Sequence, residues 1–137
     1  MLAFFVFTHL YRKEYPMPEL VSQHKDDVLI VQFTSQKILS DVLIADIGRE
    51  LLEFVDEANG KMVLDFQSVT FMSAAMIGKL VLLNKKCKIT NTTVKFCNVC
   101  STGSTSPMEV FEITRLHKVF SIYDSVDDAL RSFKKKW

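Results

Sequence analysis

The sequence predicts an α/β domain built on a largely parallel sheet, and two observations carry that prediction. Short apolar, β-branched runs at residues 28–33 (VLIVQF), 62–66 (MVLDF) and 93–99 (TVKFCNV) read as strands. Between them lie longer segments in which apolar residues recur at helical spacing, each opened by a serine able to cap it. Strands that alternate with helices run parallel to one another, and right-handed crossovers are expected.

Each element follows from local chemistry. Lys25, Asp26 and Asp27 make a turn before the first strand, and residues 34–39 (TSQKIL) read as a loop or a short extended piece. Ser40 is a good N-cap for a helix through about Ala58, with Asp41 in its first turn. Ile44, Ile47, Leu51, Val55 and Ala58 share one face of it. Arg49, Glu50, Glu53, Asp56 and Glu57 supply the polar remainder, and Gly60 stops the helix. Residues 62–66 are almost wholly apolar, which predicts a central strand buried on both faces. A helix then starts at Ser73 almost without a linker, presenting Ile77, Leu80, Val81 and Asn84, with Leu83 and Cys87 on the flank. Lys85, Lys86 and Lys88 suit its C-terminus. Asn91 and Thr92 turn the chain into the next strand. Residues 101–107 (STGSTSP) are a flexible loop, after which Ser106 caps a helix from Pro107 to about Leu116. Residues 119–123 form a short last strand, and Ser125 caps a final helix rich in lysine at its end.

Composition narrows the function. At 137 residues, nearly half of them apolar, the chain can bury a real core. Its 17 lysines and arginines nearly balance 16 acids, so no global field argues for nucleic acid. Three cysteines do not suggest a disulfide framework, and a cytoplasmic location is expected. Cys97 and Cys100 have C-x-x-C spacing, but no second pair and no histidine at ligand spacing accompanies them. Residues 1–18 form an apolar extension, LAFFVF at 2–7 followed by Pro16 and Pro18, too short to span a bilayer and without the flanks of a secretory signal. Either it is an arm that packs on this or a neighbouring molecule, or Met17 is the true start; residues 19–137 are the domain proper.

The most telling stretch is DFQSVTFMSAAMIGKL, residues 65–80. With FEITRL at 111–116 and FSIY at 120–123, it resembles the STAS family (sulphate transporter and anti-sigma factor antagonist domains), over about residues 28–133. The similarity is to the stand-alone anti-sigma factor antagonists of bacteria. It implies a small mixed, largely parallel sheet with helices packed mainly on one side. It also implies a domain without catalysis, whose switch loop and following helix dock onto a kinase that is also an anti-sigma factor. The family's usual motif is roughly Asp-Ser-Ser-Gly-Leu-Gly, with the first serine phosphorylated. Aligned on Phe71, Met72 and Gly78, its aspartate falls on Ser73, the switch serine on Ala74, the second serine on Ala75 and the glycine on Met76. The switch hydroxyl is missing here, and alanine cannot accept a phosphoryl group.

The resemblance makes Ser73, Ala74, Ala75, Met76 and Lys79 the candidate partner-binding residues. Ser73 is either a relocated phosphoacceptor or a cap that accepts an N–H from Ala75 or Met76. The stripe of Met76, Lys79, Leu80 and Leu83 is either core or partner-facing. Asp65, near the end of a buried strand, is expected to accept hydrogen bonds from the turn at Gln67–Val69. The four glycines are scattered and the three histidines unclustered, so no phosphate loop or catalytic constellation forms. The sequence therefore predicts no enzyme, cofactor, metal site or membrane contact, and a regulator that binds a protein, an anti-sigma factor or serine kinase. The alternative is a scaffold without a switch that self-associates through the N-terminal arm. A weaker third reading uses the backbone N–H groups of Ser73–Ala75 as an anion site.

Overall fold

The computed structural model describes residues 18–103 and 105–134; the N-terminal arm, self-association through it, and residues 135–137 lie outside that range. The elements are β1 (Leu20–Lys25), β2 (Val28–Phe33), β3 (Lys37–Ile38), α1 (Asp41–Glu57), β4 (Lys61–Asp65), β5 (Phe71–Met72), α2 (Met76–Ile89), β6 (Thr93–Cys97), α3 (Pro107–Thr114), β7 (Ser121–Tyr123) and α4 (Val126–Lys134). The main sheet has the order β1-β2-β4-β6-β7, and β3 pairs with β5 in a separate parallel ribbon. Only β1 runs antiparallel in the main sheet; the other pairs are parallel, as the alternation of strands and helices requires.

Capping explains where the helices begin. Ser40 Oγ accepts the Leu43 N–H at 3.1 Å, Ser106 Oγ the Glu109 N–H at 3.3 Å, and Ser125 Oγ the Asp128 N–H at 3.0 Å. Asn59 (φ 52°) and Gly60 (φ 98°) then turn the chain out of α1 in left-handed conformations. The helix after Ser106 stops earlier than expected, at Thr114, because Arg115 adopts φ 64°; a single 3-10 turn, Leu116–Lys118, follows.

Strand alternation sorts the core into two layers. Leu29, Val31, Phe33, Met62, Leu64, Phe66 and Phe96 face α1, α2 and α3. Val28, Ile30, Val63 and Cys97 face the other way, where Ala129 and Leu130 of α4 cover them. The larger layer is centred on aromatic rings. Phe66 lies 4.7 Å from Phe33, 5.1 Å from Phe96 and 5.6 Å from Phe111, the last edge-on, while Phe96 stacks on Phe120 at 4.2 Å.

Three further features depart from the sequence reading. Residues 20–25 form a strand, joined to β2 by Asp26 (φ 54°) and Asp27 (φ 70°), the left-handed pair a tight hairpin demands. Glu50 is not part of the solvated face of α1. It is buried, with one carboxylate oxygen accepting the Leu20 N–H at 3.0 Å and the other the Glu19 N–H at 3.2 Å. The buried face of α2 is Met76, Leu80, Leu83 and Cys87, which leaves Val81 half exposed.

Burial raises the carboxyl pKa of Glu50 against the lowering effect of its two backbone bonds. A raised folded-state value favours the protonated fold, so this contribution to stability is complete below the unfolded pKa and is lost as pH rises through the folded one. Glu50→Gln keeps one acceptor and cannot ionise. Its melting temperature is expected to gain on the wild type as pH rises from 4 to 7, and a constant difference would refute the assignment. Glu50→Ala strands two N–H groups and is expected to cost about 1–3 kcal/mol.

Candidate protein-docking surface

The segment that carries the resemblance begins where the sheet ends. Asp65, buried at the carboxyl end of β4, accepts the Gln67 N–H at 3.0 Å, Asn98 Nδ2 at 2.9 Å and Gln32 Nε2 at 3.3 Å. It thereby ties the ends of β2, β4 and β6 together and starts the turn that leads to β5. The expected turn bond is present, and the two amides complete the carboxylate's shell.

β5 is held from both sides. The Thr70 and Phe71 N–H groups donate to the Gln36 carbonyl, and Ser73 N–H donates to the Ile38 carbonyl at 2.9 Å. Met72 N–H donates to the Thr105 carbonyl at 3.1 Å, so the loop after β6 forms the other wall. Met72 and Ile38 point inward and are fully buried. Phe71 points outward, 37% exposed, with Lys37 Nζ 5.3 Å from its ring centre. Leu39 and Val42, at the entry to α1, are also exposed.

Ser73 is half-buried, and its Oγ accepts the Ala75 N–H at 3.1 Å. The Ser73 carbonyl accepts the Met76 N–H at 3.0 Å and the Ala74 carbonyl accepts the Ile77 N–H at 3.0 Å. Of the three backbone N–H groups of Ser73–Ala75, two are thus engaged, by Ile38 and by Ser73 Oγ, and that of Ala74 has no protein acceptor, so those three do not form an open set for an anion. Ala75 occupies the N-cap position of α2 with no side-chain bond of its own. Ala74, Ala75 and Gly78 are exposed.

The other two candidates are placed differently. Met76 is fully buried and packs into the main core, so its side chain is not available to a partner; this corrects its assignment as a contact residue. Lys79 lays its stem along α1, where a Cβ on Gly48 would sit 2.6 Å from Lys79 Cδ. Only the ammonium end of Lys79 is left for the rim. The structure thus brings Phe71, Ala74 and Ala75 to one end of the domain, with Leu39 and Val42 nearby. The last two carry no motif, and their exposure after a short strand was the only available signal.

The C-x-x-C pair does not complete a second site. Burial pushes the Cys97 thiol up to about 12, with Asp65 adding to the effect, while Cys100 beside Thr102 is lowered. Cys97 therefore stays protonated at neutral pH.

Comparison with known proteins agrees with this architecture. An anti-sigma factor antagonist from Mycobacterium paratuberculosis superposes with a TM-score of 0.71 at 19% identity, over 85% of this chain and 93% of that one. The anti-sigma factor antagonist SpoIIAA in its unphosphorylated form gives 0.65 at 10% identity, over 84% and 96%. A variant of RsbS from Moorella thermoacetica gives 0.65 at 11% identity, over 84% and 94%. At such identities the likeness is one of fold. The family assignment rests on the sequence model of the STAS domain, which matches residues 19–129 and so spans both the sheet and the β5–α2 turn. The chain belongs to the STAS domain family.

Proposed function

We propose that this protein is a non-enzymatic regulator of the anti-sigma factor antagonist type, acting in the bacterial cytoplasm. It docks onto an anti-sigma factor or serine kinase through the segment from Phe71 to Leu80. The observation that carries this reading is the exposed, uncharged start of α2. Ala74 and Ala75 stand out into solvent beside Phe71, where a partner can approach the backbone closely. Structural relatives described as anti-sigma factor antagonists support the class of activity. Among the described residues no helix is long and apolar enough to cross a membrane.

Regulation differs from that implied by the family motif. Ala74 offers no oxygen to a kinase, and the Ser73 hydroxyl is engaged with the Ala75 N–H. Docking is therefore constitutive, and control passes to the amount of protein or to its partner. The test incubates the full chain with purified anti-sigma serine kinases of the same genome and ATP, followed by size-exclusion chromatography and intact mass. A stable complex with no gain in mass is expected. A gain of one phosphate that disappears in Ser73→Ala would replace constitutive docking with a relocated switch. Failure to bind any of these kinases would remove the antagonist reading.

A further inference from the structure

The outer surface of the α1–α2 layer lies apart from the β5–α2 turn and carries its own pattern of charge and apolar exposure. The two helices lie side by side and run in the same direction. Lys79 lies on Gly48, and seven residues later Lys86 Nζ donates to the Leu52 carbonyl at 2.8 Å and to Asp56 at 3.0 Å. Residues near 85–88 of α2 are therefore level with residues near 53–57 of α1.

Their charges are opposite. α1 carries Asp41, Asp46, Glu50, Glu53, Asp56 and Glu57 against the single base Arg49, whereas α2 carries Lys79, Lys85, Lys86 and Lys88 and no acid. Much of this charge is already used, since Arg49 pairs with Asp46, Asp56 pairs with Lys86, and Glu50 is buried. Apart from Asp41 at the start of α1 and Lys79 against Gly48, what remains is an exposed acidic ridge, Glu53 and Glu57, and at the same height an exposed basic ridge, Lys85 and Lys88. None of these four has an ion-pair partner among the described residues. The basic ridge is interleaved with Val81, Leu82 and Ile89, which are 50%, 47% and 78% exposed. Three large aliphatics within two turns of one helix form a seam rather than scattered surface residues.

An acidic ridge beside a basic one is complementary to itself. We infer that the occupant of this face is a second copy of the chain, related by a two-fold axis parallel to the helices. That axis sets α1 of one copy against α2 of the other at equal height, so Glu53 and Glu57 meet Lys85 and Lys88 twice over, around the Leu82 and Ile89 side chains. Such an isologous arrangement is the one a symmetric pair requires. An axis across the helices would set α1 against α1 and oppose like charges. A bilayer of anionic lipid would attract the lysines but meet Glu53 and Glu57 on the same face. The parallel axis also leaves Phe71 and Ala74 of both copies open at the same end of the pair. The inference does not depend on the antagonist reading.

Sedimentation equilibrium of the full chain tests it. The wild type is expected to dimerise, and to do so less tightly in 500 mM than in 50 mM salt. Lys85→Glu/Lys88→Glu and Glu53→Lys/Glu57→Lys should each raise the dimer dissociation constant by on the order of a hundredfold. An equimolar mixture of the two variants should recover a dimer, because each then presents the ridge the other needs. The salt series on the unaltered chain makes the same test should a variant fail to fold. A monomeric wild type, a dimer unmoved by salt, or a mixture that stays monomeric would overturn the proposal. So would a dimer that survives both reversals and is lost only when residues 1–17 are removed.

Discussion

Phe66→Ala is expected to lower the stability of the fold by about 3–5 kcal/mol, the range for truncating a buried phenylalanine. Set against a typical total of about 5–15 kcal/mol, this is a large fraction of the stability of the fold. The position is fully buried, and its ring contacts Phe33, Phe96 and Phe111, which come from β2, β6 and α3. Truncation therefore removes the group on which three elements close. Its backbone also begins the turn to β5, donating to the Cys97 carbonyl and accepting from Val69 N–H. Denaturant titration checks the expectation through a shift in midpoint at unchanged slope. Phe66→Leu should recover more than half of the loss, and a cost below about 1 kcal/mol for the alanine variant would deny Phe66 its central place.

Ala74→Glu is expected to weaken partner binding by about a hundredfold or more while leaving the melting temperature nearly unchanged. The position is exposed in the free protein, so the charge costs the fold little. In the docked state the same carboxylate is desolvated at the centre of the contact without a partner, which costs about 3–5 kcal/mol. Ala74→Ser should bind like the wild type without ATP and acquire one phosphate with it, releasing the partner as the charge arrives. Calorimetric titration against the bound kinase reads both variants. Binding of Ala74→Glu within threefold of wild type would move the docking surface away from the start of α2.

Much of this architecture was legible from residue patterns because the signals are local. Ser40, Ser106 and Ser125 each cap the helix they precede, and the run at β4 is apolar enough to declare a buried central strand, while β2 and β6 were legible as strands from their β-branched and partly alternating runs. β1 was not legible, since five of its six residues are exposed and its start is fixed by Glu50, about thirty residues away. The orientation of α2 was obscured by Leu80-Val81-Leu82-Leu83, a run too uniformly apolar for helical spacing to choose a face. Once rotated by the packing of Met76 and Leu83, it turns Val81 and Leu82 outward. At the candidate surface, the motif pointed to Ser73 and Ala74 but not to Leu39 or Val42. Those two follow β3, which pairs with β5, and both are exposed.

Under the proposed docking, the clamp on β5 makes the loop ending at Thr105 a control on the presented surface. Phe71 and Met72 are held by Gln36 and Ile38 on one side and by Thr105 on the other, segments far apart in the chain. A change in the length of the loop that ends at Thr105 leaves Phe71, Ala74 and Ala75 themselves unaltered. Because the Met72 amide is tied to that loop, each such edit would tilt the presenting strand. Under the proposed docking, selectivity can thus shift through a stretch that lies outside the candidate contact residues.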